Sequence, residues 1–295
     1  MHLPSFDYLA PKEPAELATM LAEYGKDACI LSGGTDLLVQ MKEHALTPKY
    51  VIDISGMESL STINFDEQGG LVIGSTAKMD ELLRMPVVKE RYQALWTATE
   101  TVGARQIIAM ASIGGNICNA SPAADTPPAL VAFDAEVRLS SGNKNRTMPV
   151  LDFILGNRKT ALTEGEYLES IKLAVPPPDS GSAYQHFRVR GGMEIAMVSA
   201  AVNVQVDPET RSVKDLRIVL GVVAPTPIRA RDAEQMIIGE VPSEELLTSA
   251  AEACAKVSKP IDDFRASAEY RKAVLKVFFE RAFNEAYSRA TGCRT

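Results

Sequence analysis

Metal ligands are scarce in this sequence. It has three histidines, and its four cysteines, Cys29, Cys118, Cys254 and Cys293, lie far apart without any Cys-x-x-Cys spacing. A zinc site or an iron–sulfur cluster needs several such ligands at close spacing. We therefore expect reduced, mainly structural thiols, and any redox function of this chain requires an organic cofactor.

The sequence also lacks a basic surplus, a set of aromatic side chains and a long apolar run. Its formal net charge is -7, it has one tryptophan, and aromatic residues make up 6% of it. These absences disfavour binding to nucleic acid, whether duplex or single-stranded. No apolar run approaches the roughly 20 residues of a membrane span, and the first residues lack a signal-peptide pattern, so the sequence predicts a cytoplasmic protein.

What is present is an ordinary globular composition over 295 residues, which is long enough for two or three packed units. Helical spacing over residues 13–24 and the strand-like segments "ACIL" and "YVIDIS" predict a small α/β unit over about residues 1–56. A hairpin signal at Gly69-Gly70, helices near residues 79–84 and 88–102, strands at "AEVRLSS" and "EYLESIKLAV", and a turn at Gly142-Asn143 predict an α+β unit up to residue 176.

A third unit is predicted to begin after the prolines at 176–178, since consecutive prolines do not continue a central strand or a helix. Three long strand-like segments, "YQHFRVR", "AMVSAAVNVQVD" and "DLRIVLGVVAP", precede two helical segments. We therefore expect residues 177–295 to form a three-stranded antiparallel sheet followed by helices. Arg188 and Arg190 with Gly191 and Gly192 read most simply as a hairpin.

Two glycine-rich segments are candidates for binding phosphate. "LSGGTDLL" follows a strand, so Gly33 and Gly34 would let successive backbone amides point into one concavity, with Thr35 and Asp36 beside them. The alternative is a plain strand-to-helix turn. Neither the Walker A pattern nor G-x-G-x-x-G is present, which disfavours a P-loop nucleotide triphosphatase and a nicotinamide-binding Rossmann unit.

The second segment is "ASIGGNICNASPAADTPPALVAF". We predict a further glycine turn at residues 114–116, with hydrogen-bonding side chains at Asn116, Asn119, Ser121, Asp125 and Thr126, before a helix entered through Pro127 and Pro128. Two cradles from different units suit an extended ligand such as FAD, held by its diphosphate. A third turn in "GSTAKMDEL" is either structural or a supporting contact.

In these segments the sequence resembles the FAD-binding medium subunit of the molybdenum hydroxylases, the family of xanthine dehydrogenase and aerobic carbon monoxide dehydrogenase. The resemblance covers essentially the whole chain, because "SGGTDLL", "GSTAKMDEL", "ASIGGNICNASPAADTPPALVAFDAEV", "YLESIKLAV" and "HFRVRGGMEIAMVSAAV" occur in the order of the family. It implies a two-subdomain FAD-binding domain of the vanillyl-alcohol oxidase and p-cresol methylhydroxylase type over residues 1–176, followed by the smaller C-terminal domain of the family.

The resemblance also implies the cofactor-binding residues. The diphosphate and adjacent groups would be held by Leu31, Ser32, Gly33, Gly34, Thr35, Asp36, Leu37, Ser112, Ile113, Gly114, Gly115 and Asn116, with Thr76 and Asn119 in support. Ser121 and Asp125 would lie near the ribityl chain or the flavin pyrimidine, Leu168 would pack near the isoalloxazine, and Arg188 would stand where the family often has a basic residue.

The function implied is electron transfer by non-covalently bound FAD, without a catalytic residue or a metal site in this chain. A large subunit with a molybdopterin cofactor would oxidise the substrate, a small subunit would carry two [2Fe-2S] clusters, and this chain would pass electrons to NAD+, a quinone or another acceptor. A dimer of such heterotrimers is expected. His186 fits a structural role better than a catalytic one, because no histidine is spaced from a nucleophile as in a triad.

Two alternatives stay open at this stage. One is a self-sufficient flavoenzyme of the same fold, such as a UDP-N-acetylmuramate reductase-like enzyme or an alcohol oxidase. The other is a scaffold without flavin. The sequence offers no proton donor and no evident residue for a covalent flavin link, and both glycine segments are intact, so both alternatives are less favoured than the subunit.

Overall fold

The fold is taken from a computed structural model that describes residues 2–142, 144–190 and 193–292. Several sequence predictions fall outside these ranges. They are the second residue of the Gly142-Asn143 turn, the glycines of the hairpin at residues 191–192, and the thiol of Cys293. Among the described residues, no helix is long and apolar enough to cross a membrane.

The first unit is a parallel sheet flanked by short helices. Its elements are β1 (Asp7–Leu9), α1 (Pro14–Tyr24), β2 (Ala28–Leu31), α2 (Leu37–Lys42) and β3 (Tyr50–Asp53), with the strand order β1-β3-β2. The predicted helix and the two predicted strands are confirmed, whereas β1 is a further strand of three residues between prolines. Because the strands are parallel, β2 and β3 end at the same edge, and the segment "SGGTD" leaves the sheet there.

The second unit is built on a five-stranded antiparallel sheet. Its strands are β4 (Ile63–Asp66), β5 (Gly70–Gly74), β6 (Glu136–Ser140), β7 (Asn145–Pro149) and β10 (Tyr167–Leu173), in the order β4-β5-β10-β6-β7, with a small hairpin of β8 (Ile154–Gly156) and β9 (Lys159–Thr160) beside it. The predicted turn at Gly69-Gly70 joins β4 to β5. Gly70 has φ +85°, a conformation that glycine adopts without steric cost.

Helices pack on this sheet through a shared apolar core. They are α3 (Met79–Arg84), α4 (Pro86–Arg91), α5 (Gln93–Glu100), α6 (Arg105–Met110), α7 (Ile113–Asn119), α8 (Thr126–Ala132) and α9 (Val150–Phe153). The single helix predicted over residues 88–102 is wrong, because the chain breaks at Tyr92. Its ring is fully buried and its hydroxyl donates to Ala174 O over 3.0 Å, which fixes the break.

The third unit is an antiparallel sheet covered on both faces. Its elements are β11 (Ser180–Phe187), β12 (Val198–Val206), β13 (Val213–Gly221), β14 (Ile228–Arg229), α10 (Arg231–Ile237), α11 (Glu244–Val257) and α12 (Ala268–Thr291). The three predicted strands are confirmed, and the two-residue β14 extends their sheet. Alternate residues of β12 belong to two cores: Val202 packs under α11 and α12, while Ala201 packs toward the second unit. The residues of β12 on the Val202 side are all valine or alanine, which gives the strand its regular apolar alternation.

Candidate functional site

A cleft of about 530 Å³ lies between the first and second units. One wall is formed by β2, the following loop and α2, and the other by the segment from α6 to α7 with Arg158, Tyr167 and Leu168. Most of the predicted binding residues line it: Ser32, Gly33, Gly34, Thr35, Asp36, Leu37, Ser112, Gly114, Gly115, Asn116, Asn119 and Leu168. The structure therefore brings most of the residues predicted from the sequence, which lie in distant parts of the chain, to one cleft.

The loop of residues 32–37, the first arm of the cleft, presents free backbone amides. Within the part of the chain that the structure describes, no oxygen accepts a hydrogen bond from the amides of residues 33–37. Gly34 has φ +74°, which only glycine adopts freely and which turns the chain into α2. Successive unpaired amides in such a turn form a concavity that attracts anions. The first arm is therefore suited to a diphosphate.

Gly33 brings the two walls of the cleft into contact. A Cβ atom at this position would lie 2.2 Å from Met110 O and 2.8 Å from Ala111 Cα. Both are backbone atoms of the segment that leads into α7, so no side chain could rotate away to make room. The absence of a side chain at Gly33 is thus a condition for the closeness of the two walls.

The second arm, residues 112–116, is a helix start and not the turn that the sequence predicted. Ser112 caps α7, since its Oγ accepts from Gly115 N over 3.2 Å. Gly114 N donates to Ser75 O and Asn116 N to Ser112 O, each over 3.1 Å. The predicted turn is wrong because Ser112 acts as an N-cap: its side chain accepts from the backbone amide three residues later, which favours the start of a helix. The backbone amides of residues 114–116 are therefore already engaged.

The glycine at 114 is needed for packing. A Cβ atom there would lie 2.4 Å from Ser75 O, whereas one at Gly115 would meet a single side-chain atom, Ser112 Oγ, at 2.8 Å. Gly115 otherwise faces open space in the cleft. The second arm thus contributes a close-packed base at Gly114, an open surface at Gly115 and the side chain of Asn116, and α7, which begins in it, adds the side chain of Asn119.

Three buried hydroxyl groups near the arms lack hydrogen-bond partners and show what kind of ligand fits the cleft. The side-chain oxygens of Ser32, Ser75 and Thr76 are buried, and none has a hydrogen-bond partner among the described residues. Ser32 and Ser75 line the cleft, and Thr76 follows directly in the chain. Buried polar groups are nearly always hydrogen-bonded, so unpaired hydroxyls beside free amides fit a ligand rich in oxygen. The residues present therefore fit the diphosphate and hydroxyl groups of FAD.

Two polar bridges join the walls, one at the end of the first arm and one at α2. Asn119 Nδ2 donates to Asp36 Oδ1 over 3.0 Å, and Arg158 Nη1 donates to Gln40 Oε1 over 2.9 Å. Enclosure raises the pKa of Asp36, and Arg158 and Asn119 oppose that shift. The sequence analysis did not predict Arg158 and Gln40 as site residues. The only indication in the sequence was the pair Asn157-Arg158, which has no glycine although it forms a tight turn.

Of the residues predicted at the flavin end, Leu168 lines this cleft, whereas Ser121, Asp125 and Arg188 do not. Asp125 lies at the start of α8, where its carboxylate accepts from Arg188 Nη2 over 3.0 Å and from the Tyr184 hydroxyl over 2.8 Å. The next residue, Thr126, donates to Asn116 Oδ1 over 2.6 Å, so this cluster lies directly behind the second arm. Burial raises the pKa of Asp125, and Arg188 opposes the shift.

The other predicted residues outside the lining have evident neighbours. Leu31 packs beneath the first arm, since a Cβ atom at Gly34 would lie 3.1 Å from its Cδ1, and Ile113 is fully buried in the core. Ser121 Oγ accepts from Ala123 N over 3.3 Å in the turn before α8. Their contact with a cofactor stays a prediction.

His186 belongs to the same cluster and sets a pH dependence of stability. Its ring stacks on Tyr184 with centroids 5.8 Å apart, and burial, aided by Arg188, lowers its pKa from 6.5 to about 4. The unfolded chain therefore takes up a proton as the pH falls through 6.5, while the folded chain does so only near 4. We expect stability to be complete above pH 6.5 and to fall progressively between 6.5 and about 4.

The measurement is the urea midpoint of His186→Gln beside the wild type over that range. Carboxylates titrate in both proteins, so the difference between the two slopes isolates His186. The variant should show the shallower slope, and His44→Gln, which changes an exposed histidine, should keep that of the wild type. Identical slopes for His186→Gln and the wild type would contradict the assignment.

Comparison with known proteins gives consistent matches over the whole chain. The family described as "FAD binding domain in molybdopterin dehydrogenase" matches residues 4–177, and "CO dehydrogenase flavoprotein C-terminal domain" matches residues 182–286. The carbon monoxide dehydrogenase medium chain of Hydrogenophaga pseudoflava is 32% identical over 97% of this chain and 98% of its own length. The putative xanthine dehydrogenase FAD-binding subunit of Escherichia coli K12 is 30% identical over 97% and 99%.

Solved structures match equally well. A structure of carbon monoxide dehydrogenase from Hydrogenophaga pseudoflava superposes with a TM-score of 0.93 at 32% identity, covering 98% of this chain and 99% of that one. The reconstituted enzyme from Oligotropha carboxidovorans also gives 0.93, at 29% identity, over 98% and 100%. The fold described above is therefore shared over nearly its full length.

Proposed function

Because the chain belongs to the family of FAD-binding medium subunits of molybdenum hydroxylases, we propose that it takes electrons from [2Fe-2S] clusters of a partner subunit and passes them through FAD to an acceptor such as NAD+ or a quinone. The family membership makes it a subunit of an oxidoreductase. The flow of electrons to a given acceptor is the proposed part.

The observation that carries the proposal is the cleft with its free amides. FAD carries two negative charges on its diphosphate and has many ribityl and ribose oxygens. The unpaired amides of residues 33–37 in the first arm can donate hydrogen bonds to the diphosphate. Ser32, Ser75 and Thr76 would donate or accept hydrogen bonds beside them, and Leu168 would pack against an apolar ring. When bound, FAD supplies the capacity to accept and release electrons singly or in pairs.

The side chains of the cleft suit binding and not substrate chemistry. No histidine or lysine occurs among the described residues that line it. Burial raises the pKa of the Cys118 thiol to about 12 and also raises that of Cys29, so both thiols stay protonated and poorly nucleophilic. We therefore propose that the substrate reacts on another subunit, while this chain holds the flavin.

The partners follow from the relatives. Three relatives that match over nearly their full length are named as a medium chain or a FAD-binding subunit, which places each of them within a larger complex. We propose a small subunit with [2Fe-2S] clusters and a large subunit with the molybdopterin cofactor, assembled as a dimer of heterotrimers. A cytoplasmic location and transfer of electrons to NAD+, a quinone or another acceptor stay predictions of the sequence.

The test is reduction of the flavin within the complex. The chain, co-expressed with the proposed small and large subunits from the same genome, should purify with one non-covalent FAD that acid precipitation releases. Substrate should then bleach the flavin absorbance only when all three chains are present. The self-sufficient enzyme predicts the opposite, namely turnover of NAD(P)H or an alcohol by the isolated chain. A complex with full iron occupancy from which acid precipitation releases no FAD would also contradict the proposal.

A further inference from the structure

Arg158 carries the only positive charge among the described residues that line the cleft. It lies in the two-residue turn between β8 and β9, where Gly156 pairs with Lys159. Its side chain reaches out of the second unit to α2 of the first.

The backbone of Arg158 is anchored on the end of α7. Its amide donates to Ala120 O over 3.1 Å, and Ala120 itself ends the helix in the left-handed conformation, with φ +46°. Its guanidinium donates to Gln40 Oε1 over 2.9 Å, and Gln40 is buried in α2. Arg158 therefore connects α2, which follows the first arm, to α7, which begins in the second arm.

The conformation of Arg158 indicates that its side chain is required. The residue has φ +55°, in the left-handed region that is sterically disfavoured for a side chain with a Cβ atom. Glycine or asparagine is the favourable choice at such a turn position. A strained backbone of this kind points to a function of the side chain when the surroundings hold it in place.

We propose that Arg158 is a positioning residue that fixes the separation of the two arms, so that one dinucleotide reaches both. This inference rests on the proposed binding of FAD across the arms. A ligand held at two sites gains affinity when the sites are already at the distance that it spans. Without Arg158, the Asn119–Asp36 bridge and the contact of Gly33 with Met110 and Ala111 still connect the two walls.

The decisive variant is Arg158→Gly, because glycine relieves the strained backbone while removing the side chain. In the deflavinated full chain, we expect FAD affinity to fall about tenfold, a change of 1.4 kcal/mol, while the thermal midpoint stays within about 4 °C of the wild type. Arg158→Lys should recover part of the affinity. If the role were structural only, the midpoint and the affinity would fall together.

A double-mutant cycle with Gln40→Leu tests the bridge itself. The single variants and the double variant should all lose FAD affinity to a similar extent, since each breaks the same connection. Additive losses, or FAD affinity of Arg158→Gly within twofold of the wild type, would overturn the inference. So would a salt dependence that is lost in Arg158→Gly and kept in Gln40→Leu, which would indicate direct charge contact with phosphate. Failure of the wild-type chain to bind FAD would instead overturn the proposed function.

Discussion

Valine in place of Gly33 is expected to abolish the retention of FAD. The new Cβ atom would lie 2.2 Å from Met110 O, and the added methyl groups would extend further into the segment that leads to α7. Because the obstacle is backbone, the first arm must move away, and its free amides lose their aim at the diphosphate. We expect the affinity for FAD to fall more than about 100-fold, which is 2.7 kcal/mol or more.

The measurement is the ratio of FAD to protein after gel filtration, followed by titration of the deflavinated chain. Gly56→Val is the matched control, since a Cβ atom at Gly56 meets nothing within 4 Å. It should keep the flavin content of the wild type. Full flavin content in Gly33→Val would show that the first arm is not the binding element.

Removal of the Asp125 carboxylate is expected to have the largest effect on stability. The side chains of Asp125 and Arg188 are each only 10% exposed, and the two share hydrogen bonds of 3.0 Å. Asp125→Ala leaves a buried guanidinium without its counter-charge and the Tyr184 hydroxyl without its acceptor. Breaking a buried pair in this way costs about 3–5 kcal/mol, which urea unfolding of the variant measures.

The double variant Asp125→Ala/Arg188→Met separates the pair from the site around it. It should regain part of the lost stability, because no uncompensated charge stays buried. Asp27→Ala is the control: Asp27 and Lys49 form an ion pair whose side chains are 54% and 70% exposed, so its loss should cost under about 1 kcal/mol. Equal losses in Asp125→Ala and Asp27→Ala would contradict the importance of the buried pair.

Much of the fold was predictable because its patterns are local. The strand before "SGGTD", the hairpin at Gly69-Gly70 and the helix behind Pro127 each follow from a run of apolar residues beside a residue with a restricted or permissive backbone. The break at Tyr92 was not predictable, since it depends on a distant acceptor, Ala174 O.

The site was predictable where the chemistry belongs to one segment. The sequence predicted that Gly33 and Gly34 let the neighbouring backbone amides point into the cleft without an internal acceptor. In the structure the amides of residues 33–37 donate to no oxygen of the described residues. Gly114 and Gly115 were misread because a capping serine and a distant carbonyl, Ser75 O, take up their amides. Arg158 could not be found from its own segment, because its partners Gln40 and Ala120 are distant in sequence.

The central claim is that the first arm holds the FAD diphosphate through its backbone. Hydrogen–deuterium exchange of the full chain, with and without FAD, tests it most directly. The amides of residues 33–37 should exchange rapidly without FAD and become strongly protected with it, while those of Gly114 and Gly115, already bonded, should change little. Protection confined to the second arm, with residues 33–37 unchanged at saturating FAD, would contradict the account.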